Sequence, residues 1–171
     1  MTNSASDTDW TKTLKNTLPL FGHRNWIVVA DAAYPAQARP GIETIISAGD
    51  HIEVVRAVFD AIATTEHLRA NIYLDMELEF VLEADAPGVT DYRKSLASII
   101  GGTAARSLGH EEIIAKLDQG AELFKVLIIK TSLTVPYSSV FFELGCGYWT
   151  KEAEERLWAA MQTNEPTNQH D

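Results

Sequence analysis

Two ionisable side chains, His23 and Asp31, stand at either end of a short apolar run at 26–30. The run is too short for a helix and rich in β-branched residues, which is typical of a strand buried on both faces of a sheet. In α/β proteins, ligands bind where such strands open into loops. A histidine exchanges a proton near neutral pH, and a carboxylate can hold a hydroxyl or orient the imidazole. The pair therefore marks a place where a small ligand could bind, with side chains of a type suited to acid–base chemistry.

A second polar segment lies between two further apolar runs, at 124–129 and 140–144, and it contains Tyr137 and Ser139. Tyr137 has two interpretations: a ligand-binding residue, or an amphipathic residue at a loop edge with its ring packed and its hydroxyl in water. His23 has a similar alternative as a surface or capping residue where the first helix ends. Residue types alone leave both alternatives open.

Both stretches carry the motifs of one known family. Residues 21–36 contain Gly-His, a short apolar strand, Asp31 eight residues after the His, and then an aromatic residue followed by Pro-Ala. Residues 124–147 contain Pro-Tyr-Ser-Ser at 136–139, then an apolar strand and a Gly. Together they resemble the ribose pyranase and fucose mutarotase family, in which the second segment reads Tyr-x-Asn. Between the two stretches only the general pattern is shared.

The resemblance implies a function and a set of site residues. It implies a cofactor-free isomerase that interconverts the ring forms or anomers of a monosaccharide, ribose-like or fucose-like. In this interpretation His23 is the proton donor and acceptor. The sugar is positioned by four further residues, Asp31, His110, Tyr137 and Ser139.

Two of these positions depart from the family pattern. His110-Glu111 resembles the His-Glu pair with which the ribose branch contacts its substrate, but the gap from His110 to Tyr137 is about five residues longer than expected, so an insertion is assumed. Ser139 stands where the family has Asn. A hydroxyl lacks the reach and the paired donor of an amide. This substitution favours the alternative of a sugar-binding or regulatory module without turnover.

Helix and strand signals alternate along the chain, which predicts a three-layer α/β/α sandwich around a mixed sheet, as the resemblance also implies. Strands are predicted at 26–30, 42–47, 71–82, 124–129 and 140–144. Helices are predicted from an apolar stripe at 10–21, from a capping box of Asp50 and Glu53, from Thr90, from His110 to about Asp118, and from Thr150.

The predicted strand at 71–82 has an acidic second face, formed by Asp75, Glu77 and Glu79. Its carboxylates point the same way and repel one another unless they meet water or cations. A solvated face is the first interpretation, and Glu77 or Glu79 lining a sugar pocket is the alternative. His51 falls in the first turn of a helix, where the dipole disfavours a cation, so we expect it to be solvated.

Composition narrows the class of protein. The 171 residues, 46% of them hydrophobic, predict one domain over 1–171 with a polar N-terminal arm (1–10) and a C-terminal helix and disordered tail (150–171). A net charge of −10 argues against nucleic acid as a partner. The histidines and the lone Cys146 lack the spacing of a metal site. With no signal peptide or long apolar run, we expect a cytoplasmic protein and no membrane partner.

The distance between the two ends of the first strand raises a physical difficulty. Eight fully extended steps of ~3.3 Å would place His23 about 26 Å from Asp31, too far for both to contact one sugar. The chain must bend sharply, or another subunit must complete the pocket. The resemblance implies ring-shaped homo-oligomers with sites near subunit contacts, and we therefore expect an oligomer. A third interpretation, an α/β domain whose acidic surface binds proteins, stays open.

Overall fold

A computed structural model describes residues 7–163, which form six strands and five α-helices. The strands are β1 (Trp26–Ala30), β2 (Ile42–Ile46), β3 (Leu68–Asp75), β4 (Ala105–Leu108), β5 (Val126–Lys130) and β6 (Val140–Cys146). The α-helices are α1 (Asp7–Thr17), α2 (His51–Ala63), α3 (Val89–Ile100), α4 (His110–Ala121) and α5 (Lys151–Thr163). Short 3-10 helices cover Leu18–Leu20 and Met76–Phe80. None of the helices in this range combines the length and apolar character that crossing a bilayer requires.

The six strands form one mixed sheet in the order β2-β5-β1-β6-β3-β4. Strand β1 pairs in parallel with β5, and β5 with β2, while β3 pairs in parallel with β4. Strand β6 lies between β1 and β3 and is antiparallel to both. Five strands therefore run in one direction, and β6 alone runs against them.

Helices cover both faces of the sheet, and strand β1 shows how the sequence achieves this. All five of its residues are buried. Because side chains alternate across a strand, Ile27 and Val29 pack into a core with helices α1, α2 and α3. Trp26, Val28 and Ala30 pack into a second core with helix α4. The predicted three-layer α/β/α sandwich around a mixed sheet is confirmed.

Most predicted elements are confirmed. The strands predicted at 26–30, 42–47, 124–129 and 140–144 differ from the observed ones by at most two residues at either end. Helix α1 begins at Asp7, inside the predicted polar arm, and residues 1–6 lie outside the described range. Helix α5 confirms the predicted C-terminal helix, and the predicted tail at 164–171 lies outside the described range as well.

The strand predicted at 71–82 is wrong in its second half. Strand β3 ends at Asp75, and a 3-10 helix follows. The reason lies in the partners: β6 begins at Val140 opposite Leu74, and β4 ends at Leu108 opposite Asp75. Beyond Asp75 no neighbouring strand remains to pair with, so the alternating sequence leaves the sheet.

Two predictions about helix starts are also wrong. Asp50 caps α2 as predicted, since its side chain accepts from the backbone N–H groups of Ile52 and Glu53. His51 is not solvated, however: it is buried between Thr131 and the carbonyl of Ser138. Thr90 does not cap α3, which begins one residue earlier.

Candidate active site

One edge of the sheet gathers polar residues from four strands. Because the five parallel strands share a direction, their carboxyl ends meet at this edge, and the antiparallel β6 begins there. Asp31 follows β1, Asp75 ends β3, and His110 begins helix α4 just beyond β4. Ser139 immediately precedes β6. The topology thus brings together residues that are far apart in the sequence.

A cavity of about 350 Å³ opens at this edge. We call it the Asp31 pocket, and it is lined by Asp31, Ala33, Tyr34, Pro35, Gln37, Asp75, His110, Glu111, Ile114, Pro136, Tyr137 and Ser139. Four of the five predicted site residues are among them. The lining combines carboxylates, an imidazole, hydroxyls and an aromatic ring, a set that suits a small polar ligand.

Ser139 and Asp31 contact each other through two hydrogen bonds. The backbone N–H of Asp31 donates to Ser139 Oγ at 3.2 Å, and Oγ donates to Asp31 Oδ1 at 3.4 Å. Ser139 is only 4% exposed, so its hydroxyl is occupied by Asp31 before any ligand arrives. Burial raises the pKa of the Asp31 carboxyl above its usual range, and the bond from Ser139 opposes that rise.

Tyr137 is held in an unusual backbone conformation. Its φ is 57°, in the left-handed region that residues with a Cβ rarely adopt. The next carbonyl, that of Ser138, accepts hydrogen bonds from Tyr92 Oη at 2.5 Å and from His51 Nε2 at 3.0 Å. These buried donors fix the loop. The exposed Tyr137 ring consequently meets the His110 ring edge-on, with 5.7 Å between centroids.

His110 is contacted by two carboxylates, one at the end of β3 and one in the 3-10 helix that follows it. Its Nδ1 lies 3.1 Å from Asp75 Oδ2. Its backbone N–H donates to both oxygens of Glu77, at 3.0 and 3.1 Å. Neither Glu77 nor Glu79 lines the Asp31 pocket, so the predicted alternative is wrong. Glu77 accepts from the backbone of His110, and Glu79 borders another cavity on the far side of Asp75.

His23 lies away from this group, at the opposite end of β1. It is exposed and borders a second cavity of about 330 Å³, the His23 pocket, together with Arg24, Trp26, Lys116, Gln119, Gly120, Leu123, Phe124 and Glu143. The strand between His23 and Asp31 has five residues and spans roughly 16 Å. A single chain therefore does not bring His23 and Asp31 together.

Asp75 is the pocket residue that sequence reasoning missed. The alternation predicts that it lies on the solvated face of a long strand, but it is 2% exposed and ends a buried strand. The sequence pattern is the same as for Asp31, a carboxylate directly after a buried apolar run. However, the alternation of apolar and polar residues continues to residue 82, so the sequence does not show that the strand ends at Asp75. Among residues 7–163, no group of three or more His, Cys, Asp or Glu side chains is arranged to hold a metal ion.

Comparison with known proteins identifies a family that this chain matches over most of its length. The model of the RbsD / FucU transport protein family matches residues 10–147. No curated protein matches the chain.

Solved structures share the fold at low identity. Bacillus subtilis RbsD in complex with D-ribose aligns with a TM-score of 0.55 and 18% identity, covering 78% of this chain and 91% of its own. FucU of Bifidobacterium longum aligns at 0.53 and 19%, covering 78% and 94%. The Streptococcus pneumoniae fucose mutarotase in complex with L-fucose aligns at 0.50 and 20%, covering 78% and 91%.

Proposed function

This chain belongs to the RbsD / FucU transport protein family, and on that premise we propose that it is a cofactor-free isomerase that interconverts the ring forms or anomers of a monosaccharide. The observation that carries the proposal is the convergence of Asp31, His110, Tyr137 and Ser139 on one pocket. Two structural neighbours, the B. subtilis and S. pneumoniae proteins, are complexes with D-ribose and L-fucose. An aldose of this kind is the proposed substrate.

The chemistry requires two proton transfers and nothing else. A base takes the proton of the anomeric hydroxyl while an acid delivers one to the ring oxygen, and the bond between that oxygen and the anomeric carbon breaks to give the open-chain aldehyde. Attack of a sugar hydroxyl on either face of the aldehyde reverses both transfers. Positioned acid–base groups contribute roughly 10²- to 10⁴-fold to such steps, and sugars already mutarotate unaided in water.

The pocket supplies most of what these transfers need. Asp31 offers a carboxylate at the mouth of β1, and His110 offers an imidazole beside the Tyr137 ring. Tyr137 is 41% exposed, so its ring and hydroxyl are accessible to a sugar. We assign Asp31, His110, Tyr137 and Ser139 to holding the sugar.

His23 reaches the site from a second copy of the chain. It is exposed at the opposite edge of the sheet, and β1 separates it from Asp31. In a homo-oligomer with sites at subunit contacts, the His23 pocket of one copy faces the Asp31 pocket of the next. His23 then serves as proton donor and acceptor in a site that two chains share.

Saturation-transfer NMR tests the proposal directly. Ribose and fucose are each mixed with a small amount of protein, and exchange between the signals of their ring forms and anomers is measured. We expect exchange faster than in buffer, and the loss of this acceleration in the variant His23→Ala. Lys94→Ala, at an exposed position on α3, is the matched control and should keep the full rate.

Two other outcomes have distinct meanings. Sugar binding without faster exchange would identify a binding or regulatory module. That alternative is favoured by one observation, the Ser139 hydroxyl already committed to Asp31 where the family carries an amide. If no sugar binds to the protein or exchanges faster in its presence, the α/β domain has a function unrelated to sugars.

A further inference from the structure

His110 is fixed at its backbone and at its side chain by one short segment, 75–77. Glu77 accepts the backbone N–H of His110 with both carboxylate oxygens, and Asp75 Oδ2 lies 3.1 Å from its Nδ1. Neither contact is required for His110 to line the Asp31 pocket. Together, the two contacts fix the orientation of the His110 imidazole.

The role of Glu77 follows from how helix α4 begins. The N-cap position is Gly109, which has no side chain to bind the free N–H groups of the first turn. Glu77 supplies the missing acceptor from outside the helix, and its negative charge is favourable at the positive end of the helix dipole. The backbone of His110 is thereby anchored to the 3-10 helix that follows β3.

Asp75 determines which ring nitrogen of His110 carries the proton. A carboxylate oxygen only accepts, so the 3.1 Å contact requires a proton on Nδ1. That leaves Nε2 with a lone pair, and Nε2 has no hydrogen-bond partner among residues 7–163. His110 lines the Asp31 pocket, and its ring is only half-buried. A neutral imidazole in this tautomer can therefore accept a proton from a ligand.

Asp75 lines the Asp31 pocket but exposes almost none of its surface there. The residue is 2% exposed, and its second oxygen, Oδ1, is buried without a hydrogen-bond partner in the described part of the chain. Leaving a buried acceptor without a hydrogen-bond donor is destabilising. A carboxylate that reaches only the imidazole acts on a ligand through that imidazole.

We propose that Asp75 is a positioning residue that holds His110 as the Nδ1–H tautomer, so that His110 Nε2 takes a proton from a sugar hydroxyl and returns it. The inference rests on the proposed function and adds a proton carrier that belongs to the same chain as Asp31. When Nε2 takes the proton, the ring becomes an imidazolium, and the Asp75 carboxylate stabilises its charge. Returning the proton restores the neutral ring, so no net charge accumulates over a turnover.

The surroundings of Asp75 are consistent with this role. Burial raises its pKa to about 6, opposed by the nearby His110 and reinforced by Glu77 and Asp31. Arg93 and Glu79 border the cavity on its other side. The hydrogen bond from His110 favours the ionised carboxylate, which is the form that accepts from Nδ1–H.

The test combines a tautomer measurement with the exchange assay. In protein labelled with ¹⁵N-histidine, the ring nitrogen shifts of His110 show which nitrogen is protonated. We expect Nδ1–H in the wild type. In Asp75→Asn the amide can donate to Nδ1, which should favour Nε2–H and slow sugar exchange by roughly 10²-fold. Glu79→Gln, which alters a carboxylate two residues beyond that segment that does not contact His110, should change neither result.

Each result decides one question. An Nε2–H tautomer in the wild type, or an unchanged tautomer in Asp75→Asn, overturns the positioning role, and the wild-type result stands even where the variant does not fold. A switched tautomer with unchanged exchange overturns His110 as the proton carrier. A wild type that accelerates no sugar exchange refutes the proposed function, and the tautomer data alone then decide what Asp75 does.

Discussion

Single residues of the Asp31 pocket are engaged with one another before a ligand binds. The Ser139 hydroxyl is shared between the backbone and the side chain of Asp31, and the Ser138 carbonyl is held by two buried donors. Such contacts reduce the freedom that a ligand must remove on binding. They also make the ionisation of the Asp31 carboxyl depend on the presence of the Ser139 hydroxyl.

Ser139→Ala should raise the pKa of Asp31 further. The hydroxyl donates to the carboxylate and so favours its ionised form, and its loss leaves the effect of burial less opposed. We expect the ¹³C titration of the Asp31 carboxyl to move to higher pH, and the low-pH limb of sugar exchange to move with it. Ser138→Ala is the matched control, because that hydroxyl donates to the carbonyl of Val135. An unchanged Asp31 titration would contradict the assigned contact.

His51 should make the protein lose stability as pH falls. Burial lowers the pKa of His51 from 6.5 to about 4, so between these values the unfolded chain binds a proton that the native chain does not. Stability from this group is complete above pH 6.5 and declines towards pH 4, by roughly 3 kcal/mol in total. Asp75, whose pKa is raised, acts in the opposite sense over a similar range.

Urea unfolding of the wild type and His51→Gln at pH 7 and pH 4.5 separates the two effects, since Asp75 is present in both proteins. The wild type should lose more stability between the two pH values than the variant does. Equal losses would show that His51 does not stay neutral in the folded state.

At the scale of elements, the start of helix α4 depends on a residue of another element. Glu77→Ala should lower the free energy of unfolding by about 1–2 kcal/mol, because the first-turn N–H of His110 loses its acceptor at a helix start whose own N-cap residue is glycine. Chemical denaturation measures the loss, and amide hydrogen exchange at His110 should quicken. Glu79→Ala, two residues along and exposed, should be close to neutral.

The same scale shows what local sequence can and cannot predict. The run at 26–30 is a strand from end to end because its apolar, β-branched residues suit only a position buried on both faces. The alternation at 71–82 looks equally regular, but where a strand ends depends on the lengths of β4 and β6, its partners. The burial of His51 could not be predicted locally either, because its hydrogen-bond partners come from the loop between β5 and β6, about 80 residues away.

At the scale of the whole molecule, the four residues that meet in the Asp31 pocket were predictable only through the family motifs. Composition and periodicity indicated an α/β sheet but not its strand order. The insertion of β6 between β1 and β3 is what places Ser139 beside Asp31. Placing Asp75 in the pocket requires knowing where β3 ends. Placing His23 relative to Asp31 requires knowing the three-dimensional course of β1.

A shared site predicts complementation between two inactive variants. His23→Ala and Asp31→Asn should each abolish accelerated sugar exchange. Oligomers assembled from equal amounts of both chains should regain activity, because about a quarter of randomly formed sites would combine an intact His23 with an intact Asp31. Light scattering before and after mixing checks that assembly is unchanged. Mixed oligomers without activity, or an active wild-type monomer, would contradict a site built from two chains.

The central place of β6 also constrains how the chain is made. During synthesis β1 to β5 leave the ribosome first, and they can pair only as two separate groups, β2-β5-β1 and β3-β4. Each group then presents a bare strand edge, on β1 and on β3, of the kind that invites pairing with other chains. Only when residues 140–146 emerge does one strand close both edges. A nascent chain stalled before that point should therefore aggregate or engage chaperones more readily than one in which β6 has formed.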